Sequence, residues 1–215
     1  FSRNEDSFIR ELKEILKDSI NENLISDVPI GAYLSGGYDS SAIASIANLS
    51  NNKNELIGFT GKFSKYGSRF DESSYAREVA LNGKFEIKEL EITSQDFLDN
   101  IQKVIYHLDY PVAGPGAFSQ YMISEYASKH RKVVLGGQGG DEIFGGYTRY
   151  LIAYFEQCIK AAINGTSKNG EFVVTYESII PNLQSLKNYT PLLKQFWSEG
   201  LFDDMNKRYF SLINR

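Results

Sequence analysis

Two short glycine-rich stretches carry the residue types that could handle a phosphate chain. The first is Tyr33-Leu34-Ser35-Gly36-Gly37-Tyr38-Asp39-Ser40-Ser41. An apolar run leads into it, small residues form its centre, and a helix-compatible segment follows. Glycine lets backbone N–H groups approach an anion closely. The helix N-terminus behind it adds its dipole, and Ser35, Ser40 and Ser41 add hydroxyl donors. Asp39 would repel a phosphate directly, so a magnesium ion between the two resolves the conflict. Together these are the parts that hold a pyrophosphate and its metal. They point to chemistry on ATP, with cleavage between the α- and β-phosphates. The plainer alternative is a strand-to-helix turn with a capping Asp. The coincidence of so many polar and glycine positions behind a buried strand weighs against it.

The second stretch, Gly136-Gly137-Gln138-Gly139-Gly140-Asp141, follows the apolar run Lys132-Val133-Val134-Leu135. Neither stretch is a G-x-x-x-x-G-K-[ST] loop, and the second does not match the dinucleotide fingerprint G-x-G-x-x-G, nor does a helix of the right kind open there.

The elements that must position these loops alternate. Phe8, Ile9, Leu12, Ile15, Leu16, Ile20 and Leu24 have the spacing of an amphipathic helix. Ile30 to Leu34 reads as a strand buried on both faces. Ser40 to Leu49 reads as a buried helix, Leu56 to Thr60 as a strand, Asp71 to Leu81 as a helix, and Phe85 to Ile92 as an exposed or edge strand. Thr93 or Ser94 can cap a helix running to Leu108. A Gly/Pro loop over Pro111 to Gly116 precedes a helix through Phe118, Tyr121, Met122 and Tyr126, and then comes the strand at 132–135. Strand–helix alternation of this kind implies right-handed βαβ units, an α/β fold with a parallel sheet and helices on both faces. Ligands in such folds sit at the carboxyl ends of the strands. The two glycine-rich turns should therefore share one crevice. Beyond Tyr150 the pattern weakens: Leu151 to Ala162 continues as helix, Lys168-Asn169-Gly170 is a polar loop, and Leu183 to Arg215 is predicted to be helical.

Bulk composition narrows the function classes. The 215 residues suit one sizeable domain, and 42% hydrophobic content suits a packed core. A net charge of -4 without a basic run argues against nucleic acid as a partner. No apolar run approaches the ~20 residues of a membrane span, and no signal peptide opens the chain. The one cysteine, Cys158, reads as a core residue and allows no disulfide within the chain, which fits a cytoplasmic setting. His107 and His130 fall at helix ends, where the dipole alone favours them, and without paired Cys they do not suggest zinc. Trp197 reads as core, and Tyr147, Arg149 and Tyr150 as packing or substrate-contact residues, Arg149 being the nearby cation that could face an anion. The chain opens Phe1-Ser2 without an initiator Met, as an excised piece of a longer protein would.

The residues 35–41 resemble the pyrophosphate loop of the N-type ATP pyrophosphatases, with the adenine-nucleotide alpha-hydrolase-like fold. Within them the likeness to the synthetase domain of the glutamine-hydrolysing asparagine synthetase family is close. Asp27-Val28-Pro29-Ile30-Gly31 resembles the lead-in to that loop, and Phe70-Asp71-Glu72-Ser73-Ser74-Tyr75-Ala76 the family's aspartate-glutamate helix start. Leu108-Asp109-Tyr110-Pro111 and Gly137-Gln138-Gly139-Gly140-Asp141-Glu142-Ile143-Phe144-Gly145-Gly146-Tyr147 resemble two further blocks, in order, over roughly residues 8–155. The resemblance implies adenosine contacts at Leu34, Gly61, Gly136 and Gly137. It implies a pyrophosphate cradle of Ser35, Gly36, Gly37, Ser40 and Ser41, and magnesium-binding carboxylates at Asp39 and Asp141. The implied reaction is adenylation of the aspartate side-chain carboxylate by ATP, then attack of ammonia, as in asparagine biosynthesis. Residues 1–155 would form the ATP-pyrophosphatase core, and residues 156–215 a mostly helical, truncated extension of the same domain. The glutaminase domain of the full-length enzyme would be absent, leaving this fragment with little or no amide-forming activity. The oligomeric state stays open, a homodimer included.

Three departures from the family pattern stand out. Gln138 occupies the position of the family's glutamate near the reacting carbonyl, and a carboxamide cannot act as a general base. Tyr110 stands where a glutamate precedes the proline, and Gly114 and Gly116 stand where an aspartate and a serine are common. All lie in the acyl-substrate half of the site. They leave two other readings in play: a relative that adenylates another carboxylate, in a polysaccharide or natural-product pathway, and a non-catalytic ATP-binding domain.

Overall fold

A computed structural model describes residues 4–50, 56–67, 70–109, 116–163, 187, 190–198, 200 and 203–213. The expected loop around Pro111 and Gly114, with Tyr110, and the polar loop at 168–170 lie outside these residues. The chain divides into two compact units, one over residues 3–138 and one over 139–215 with the first two residues.

The first unit is the parallel α/β sandwich that strand–helix alternation predicts. Its strands are β1 (Ile30–Tyr33), β2 (Ile57–Lys62), β3 (Glu86–Glu91) and β4 (Val133–Leu135). They lie in the order β3-β2-β1-β4, every pair parallel. Its helices are α1 (Glu5–Asn23), α2 (Tyr38–Ser50), α3 (Ser73–Gly83), α4 (Ser94–His107) and α5 (Gly116–Ser128). The chain builds outward from β1 through β2 to β3, then crosses back to lay β4 on the other side of β1. At that reversal the loops leaving β1 and β4 diverge, and the crevice between them is where sheets of this type bind ligands.

Side-chain alternation along the strands feeds two cores. Ala32 and Leu34 face Ala44 and Ala47 of α2 and Ala76 and Ala80 of α3. The run of alanines lets those helices lie close on the sheet. Tyr33, Ile57 and Phe59 face Ile123 and Ala127 of α5 on the opposite side. Ile92, Val104, Phe118 and Met122 extend that second layer beneath α4.

The helix ends follow local chemistry. Asn4 caps α1 by accepting from the Ser7 N–H at 3.0 Å. Thr93, one of the two expected caps, begins α4. Its hydroxyl accepts from the Asp96 N–H at 3.3 Å, and the Asp96 carboxylate accepts from the Thr93 N–H at 2.8 Å. The Thr93 hydroxyl, donating to Asp96 Oδ2 at 2.6 Å, and the Thr93 N–H hold the Asp96 carboxyl below its usual range. In α1 only Ile20 is buried, while Phe8, Ile9 and Ile15 stay largely exposed despite their amphipathic spacing. β3 is an edge strand as expected, flanked by Lys88–Glu86 and Lys62–Glu91 pairs at 2.7 and 3.9 Å and by Arg77 on Glu89. His107 and His130 pack against aromatic rings, His107 on Tyr121 and His130 on Phe59.

The second unit contains α6 (Gly140–Phe144), α7 (Thr148–Ile163), α8 (Thr190–Ser198) and α9 (Met205–Ile213). α7 runs unbroken through position 155. The expected helix over 183–215 is instead two helices among the described residues, parted at Gly200, whose φ of 68° leaves the helical region. Ile152, Ala153 and Phe196 form a small core with Trp197 against it. Cys158 is buried, which pushes its thiol up and suits a packing role. No helix among the described residues is long and apolar enough to cross a membrane.

A buried ion cluster ties α7 to α9 and α8. Arg208 Nη2 donates to Glu156 Oε2 at 2.8 Å and to the Phe196 carbonyl at 2.7 Å. Its guanidinium lies 3.8 Å over the Phe196 ring. Lys160 Nζ donates to Glu156 Oε1 at 2.8 Å. Burial alone would raise the Glu156 carboxyl, but the hydrogen bonds and charges of Arg208 and Lys160 outweigh it, and the net shift is downward. The cluster's contribution is therefore complete above the unfolded carboxylate value near ~4.3 and is lost as pH falls through the lower folded value. We expect Glu156→Gln to destabilise this unit by about 3–5 kcal/mol, because it leaves Arg208 buried without its counter-charge. Hydrogen exchange of α7 and α9 amides in wild type and variant measures this. Unchanged protection would disprove the assignment.

Candidate functional site

Every sequence-predicted site residue of the first unit falls at the carboxyl ends of β1, β2 and β4. Leu34 closes β1, fully buried, and donates its N–H to the Phe59 carbonyl at 2.8 Å. The chain then turns sharply through Ser35, Gly36 and Gly37 into α2.

Gly36 is required by both conformation and space. Its φ is 90°, and a Cβ there would come within 2.7 Å of Tyr75 Cβ and 3.0 Å of the Glu72 carbonyl. The loop therefore rests on the first turn of α3. That turn is fixed by Asp71, whose carboxylate accepts from the Ser73 N–H at 3.1 Å. Burial pushes the Asp71 carboxyl up, but the Ser73 bonds and the Lys62 charge bring it below its ordinary value. Arg77 extends the support, donating to Ser73 Oγ at 3.2 Å and to Glu89 Oε2 at 3.1 Å.

The serines divide their roles. Ser40 is buried, and its hydroxyl works inside the loop: it accepts from the Ser35 N–H at 3.2 Å and donates to the Gly37 carbonyl at 3.2 Å. It also shares a hydrogen bond with Ser35 Oγ at 2.9 Å. Ser40 shapes the cradle from within. Ser35 is exposed, and its Oγ accepts from the Gly37 N–H at 3.2 Å. Ser41 Oγ is buried and has no hydrogen-bond partner in the structure. A buried hydroxyl of that kind fits an anion at the start of α2, where the helix dipole adds to it.

The second glycine-rich turn meets the first, as shared membership of one crevice requires. A Cβ on Gly137 would lie 2.9 Å from the Ser40 nitrogen and 3.2 Å from Asp39 Cβ. Asp39, half-buried, thus sits between the α2 start and the end of β4. Gln138 is exposed, and its carboxamide folds back over Gly136, whose Cα a Cβ could not join without striking Gln138 Oε1.

Beside the loop is a cavity of about 220 Å3, lined by Leu34 and Ser35 from the end of β1 and by Thr60 and Gly61 from β2. Phe59, Phe63, Ile92 and Ile123 supply apolar walls, and Glu72, Ser119 and Gln120 supply polar groups. Gly61 has Ile92 Cδ1 only 3.0 Å from where a Cβ would stand, so a side chain there would intrude on this packing. Leu34 and Gly61 thus line a recess adjoining the phosphate-type loop.

Asp141 belongs to the second unit, in the first turn of α6, with its carboxylate over Gly146. Nearby, Tyr147 donates to Glu142 Oε1 at 2.9 Å, which holds its phenol above the usual value. The Arg149 guanidinium lies 3.8 Å over the Tyr147 ring, a packing arrangement. No group of three or more His, Cys, Asp or Glu side chains gathers among the described residues. A magnesium ion at Asp39 would therefore draw most of its oxygen ligands from phosphate and water, its usual preference.

Gln120 and Ser124 escaped the sequence reading, and Asp71 and Tyr33 entered it only as members of longer motifs, without a role of their own. Asp71-x-Ser73 is a helix-capping pattern, and Gln120 with Ser124 is an i,i+4 pair, but neither spacing by itself indicates a site.

A family model described as asparagine synthase matches residues 11–212. Asparagine synthetase [glutamine-hydrolyzing] 1 of Bacillus subtilis strain 168 is 37% identical over 146 residues, covering 68% of this chain and 22% of that protein. The asparagine synthetase B of Escherichia coli K12, also glutamine-hydrolyzing by name, is 35% identical over 164 residues, covering 64% of this chain and 27% of that protein. The Brassica oleracea asparagine synthetase is 29% identical, covering 92% of this chain and 39% of that protein. The chain spans about a fifth to two fifths of the length of these relatives.

Gly36→Ala is expected to cost about 1–3 kcal/mol through strain at positive φ. Asp71→Ala should cost less, about 0.5–1.5 kcal/mol for the lost hydrogen bond to the Ser73 N–H. Chemical denaturation of the two variants measures both, and a Gly36→Ala protein as stable as wild type would show that the loop does not bear on α3.

Proposed function

The chain belongs to the asparagine synthase family, and from that premise we propose that it activates a carboxylate with ATP for amide formation, aspartate being the substrate. The observation that carries this reading is the meeting of the Ser35–Gly37 loop with Gly137 across Asp39 and the α2 start, beside the recess of Leu34 and Gly61. A triphosphate fits this shape with its base in the recess and its phosphates over the loop. Backbone N–H groups and the Ser35 and Ser41 hydroxyls would bind the pyrophosphate portion, while Ser40 keeps the turn in shape.

The substrate carboxylate oxygen would attack the α-phosphorus, the bond to the β-phosphate oxygen would break, and pyrophosphate would leave. Ammonia would then attack the acyl carbon of the adenylate, AMP would depart, and the nitrogen would lose a proton. The loop's part is to orient the phosphates in line and to stabilise charge on the leaving pyrophosphate. We propose Asp39 and Asp141 as the magnesium carboxylates, each from the resemblance of its own motif, and the ion would supply neutralisation of phosphate charge. We extend to the whole protein the glutamine that the relatives' names mention as the source of ammonia.

Gln138 favours a second reading. Its carboxamide cannot take up the ammonia proton, and it stands in the acyl half of the site. A related enzyme acting on a different carboxylate accommodates that change equally well.

Calorimetric titration of ATP with and without magnesium tests the ATP site. Binding should depend on magnesium, and Asp39→Ala should abolish that dependence. ATP–pyrophosphate exchange in the full-length protein then tests the acyl substrate. Exchange stimulated by aspartate supports asparagine formation, exchange with another carboxylate supports the second reading, and ATP binding without any exchange would leave a nucleotide-binding domain.

A further inference from the structure

We propose that Gln120 is a specificity-determining residue that reads the adenine edge of the nucleotide, held in position by Ser124 and Tyr33. The inference rests on the ATP reading above and adds to it a residue and a discrimination.

The recess at the ends of β1 and β2, about 220 Å3, is too small for a whole nucleotide, and it suits one planar ring system. Its walls are the apolar side chains of Phe59, Phe63, Ile92 and Ile123, which suit the faces of a base but say nothing of its edge. A base edge carries donors and acceptors, and burying them unmatched is costly. Backbone groups at Leu34, Thr60 and Gly61 line the recess and can meet part of that edge, and a polar side chain beside them adds discrimination.

Gln120 reaches the recess from α5 and is the carboxamide among its lining residues. It does not hang free. Its Nε2 donates to Ser124 Oγ at 3.1 Å, one helical turn on. Ser124 Oγ in turn shares a hydrogen bond with the Tyr33 hydroxyl at 2.8 Å, which ties the pair to the end of the central strand. Tyr33 lines the same recess. This relay fixes the plane of the carboxamide and leaves its oxygen and its second N–H available. An oxygen acceptor beside an N–H donor complements adenine, whose 6-amino group donates next to a ring nitrogen that accepts. Hypoxanthine and guanine present a carbonyl at that position, which would set oxygen against oxygen.

The test is titration of the full-length protein with magnesium-ATP and magnesium-inosine triphosphate, which share ribose and phosphates and differ at the 6-position. Wild type should prefer ATP by about 10–100-fold, the discrimination of one bidentate contact. Gln120→Met, which keeps the side-chain length, should bring the ratio to within about threefold while inosine triphosphate affinity barely changes. Ser124→Ala, which leaves Gln120 in place but unheld, should reduce the ratio several-fold and serves if Gln120→Met melts. A purely structural Gln120 would weaken both nucleotides alike, and a preserved ratio in the variants overturns the proposal. Equal affinities in wild type overturn it too, while leaving the phosphate site standing. Failure of wild type to bind either triphosphate overturns the ATP reading and this one together.

Discussion

At two points around the end of the central strand there is no room for a side chain, and at two more the fit is tight. Gly36 rests on α3, Gly58 lies against Leu34 and Phe85, Gly61 lies against Ile92, and Gly137 lies against the start of α2. These close approaches bring three loops and a helix N-terminus into one small volume. Protein interiors pack at crystal-like density, so an added methyl at Gly36 or Gly137 has to move backbone, while one at Gly58 or Gly61 presses on side-chain tips of Leu34, Phe85 or Ile92. The parallel order of the strands, the alanine-rich inner faces of α2 and α3, and the Asp71–Ser73 hydrogen bond before α3 all serve to hold that geometry.

The loop's internal bonding has the same origin. A turn this tight leaves several backbone groups without helix or strand partners, and Ser40 meets them from inside with one hydroxyl. A serine in a phosphate-type motif is readily taken as a ligand donor. Here one serine is structural, one lies at the surface, and one is buried without a partner. The motif therefore encodes its own scaffold as well as its contacts.

The sequence made the strand-loop-helix unit, the element order and the edge position of β3 legible, because each depends on local periodicity and turn chemistry. The boundaries of β1, α2 and α5 differ from expectation by only a residue or two at most ends. What stayed hidden depends on distant chain segments. The Tyr33–Ser124 bond joins residues far apart in sequence, and Gln120 gains meaning only beside the end of β1. The partnership of Glu156 with Arg208 likewise spans two helices with no pattern to announce it. The exposed Phe8, Ile9 and Ile15 of α1 show the converse, an apolar rhythm that this unit's own packing leaves mostly uncovered. The helix expected over 183–215 is two helices among the described residues, with Gly200 at positive φ between them.

The two edges of the described sheet are guarded differently. β4 is three residues long, too short to offer a ladder of unpaired groups. β3 is six residues long and regular, and it would make a serviceable template for a stray strand. Glu86, Lys88, Glu89 and Glu91 stand along it, so an approaching copy in register would bring like carboxylates face to face. The charged residues along β3 thus make it a poor template, and crowded or partly folded chains are steered away from zipping together there.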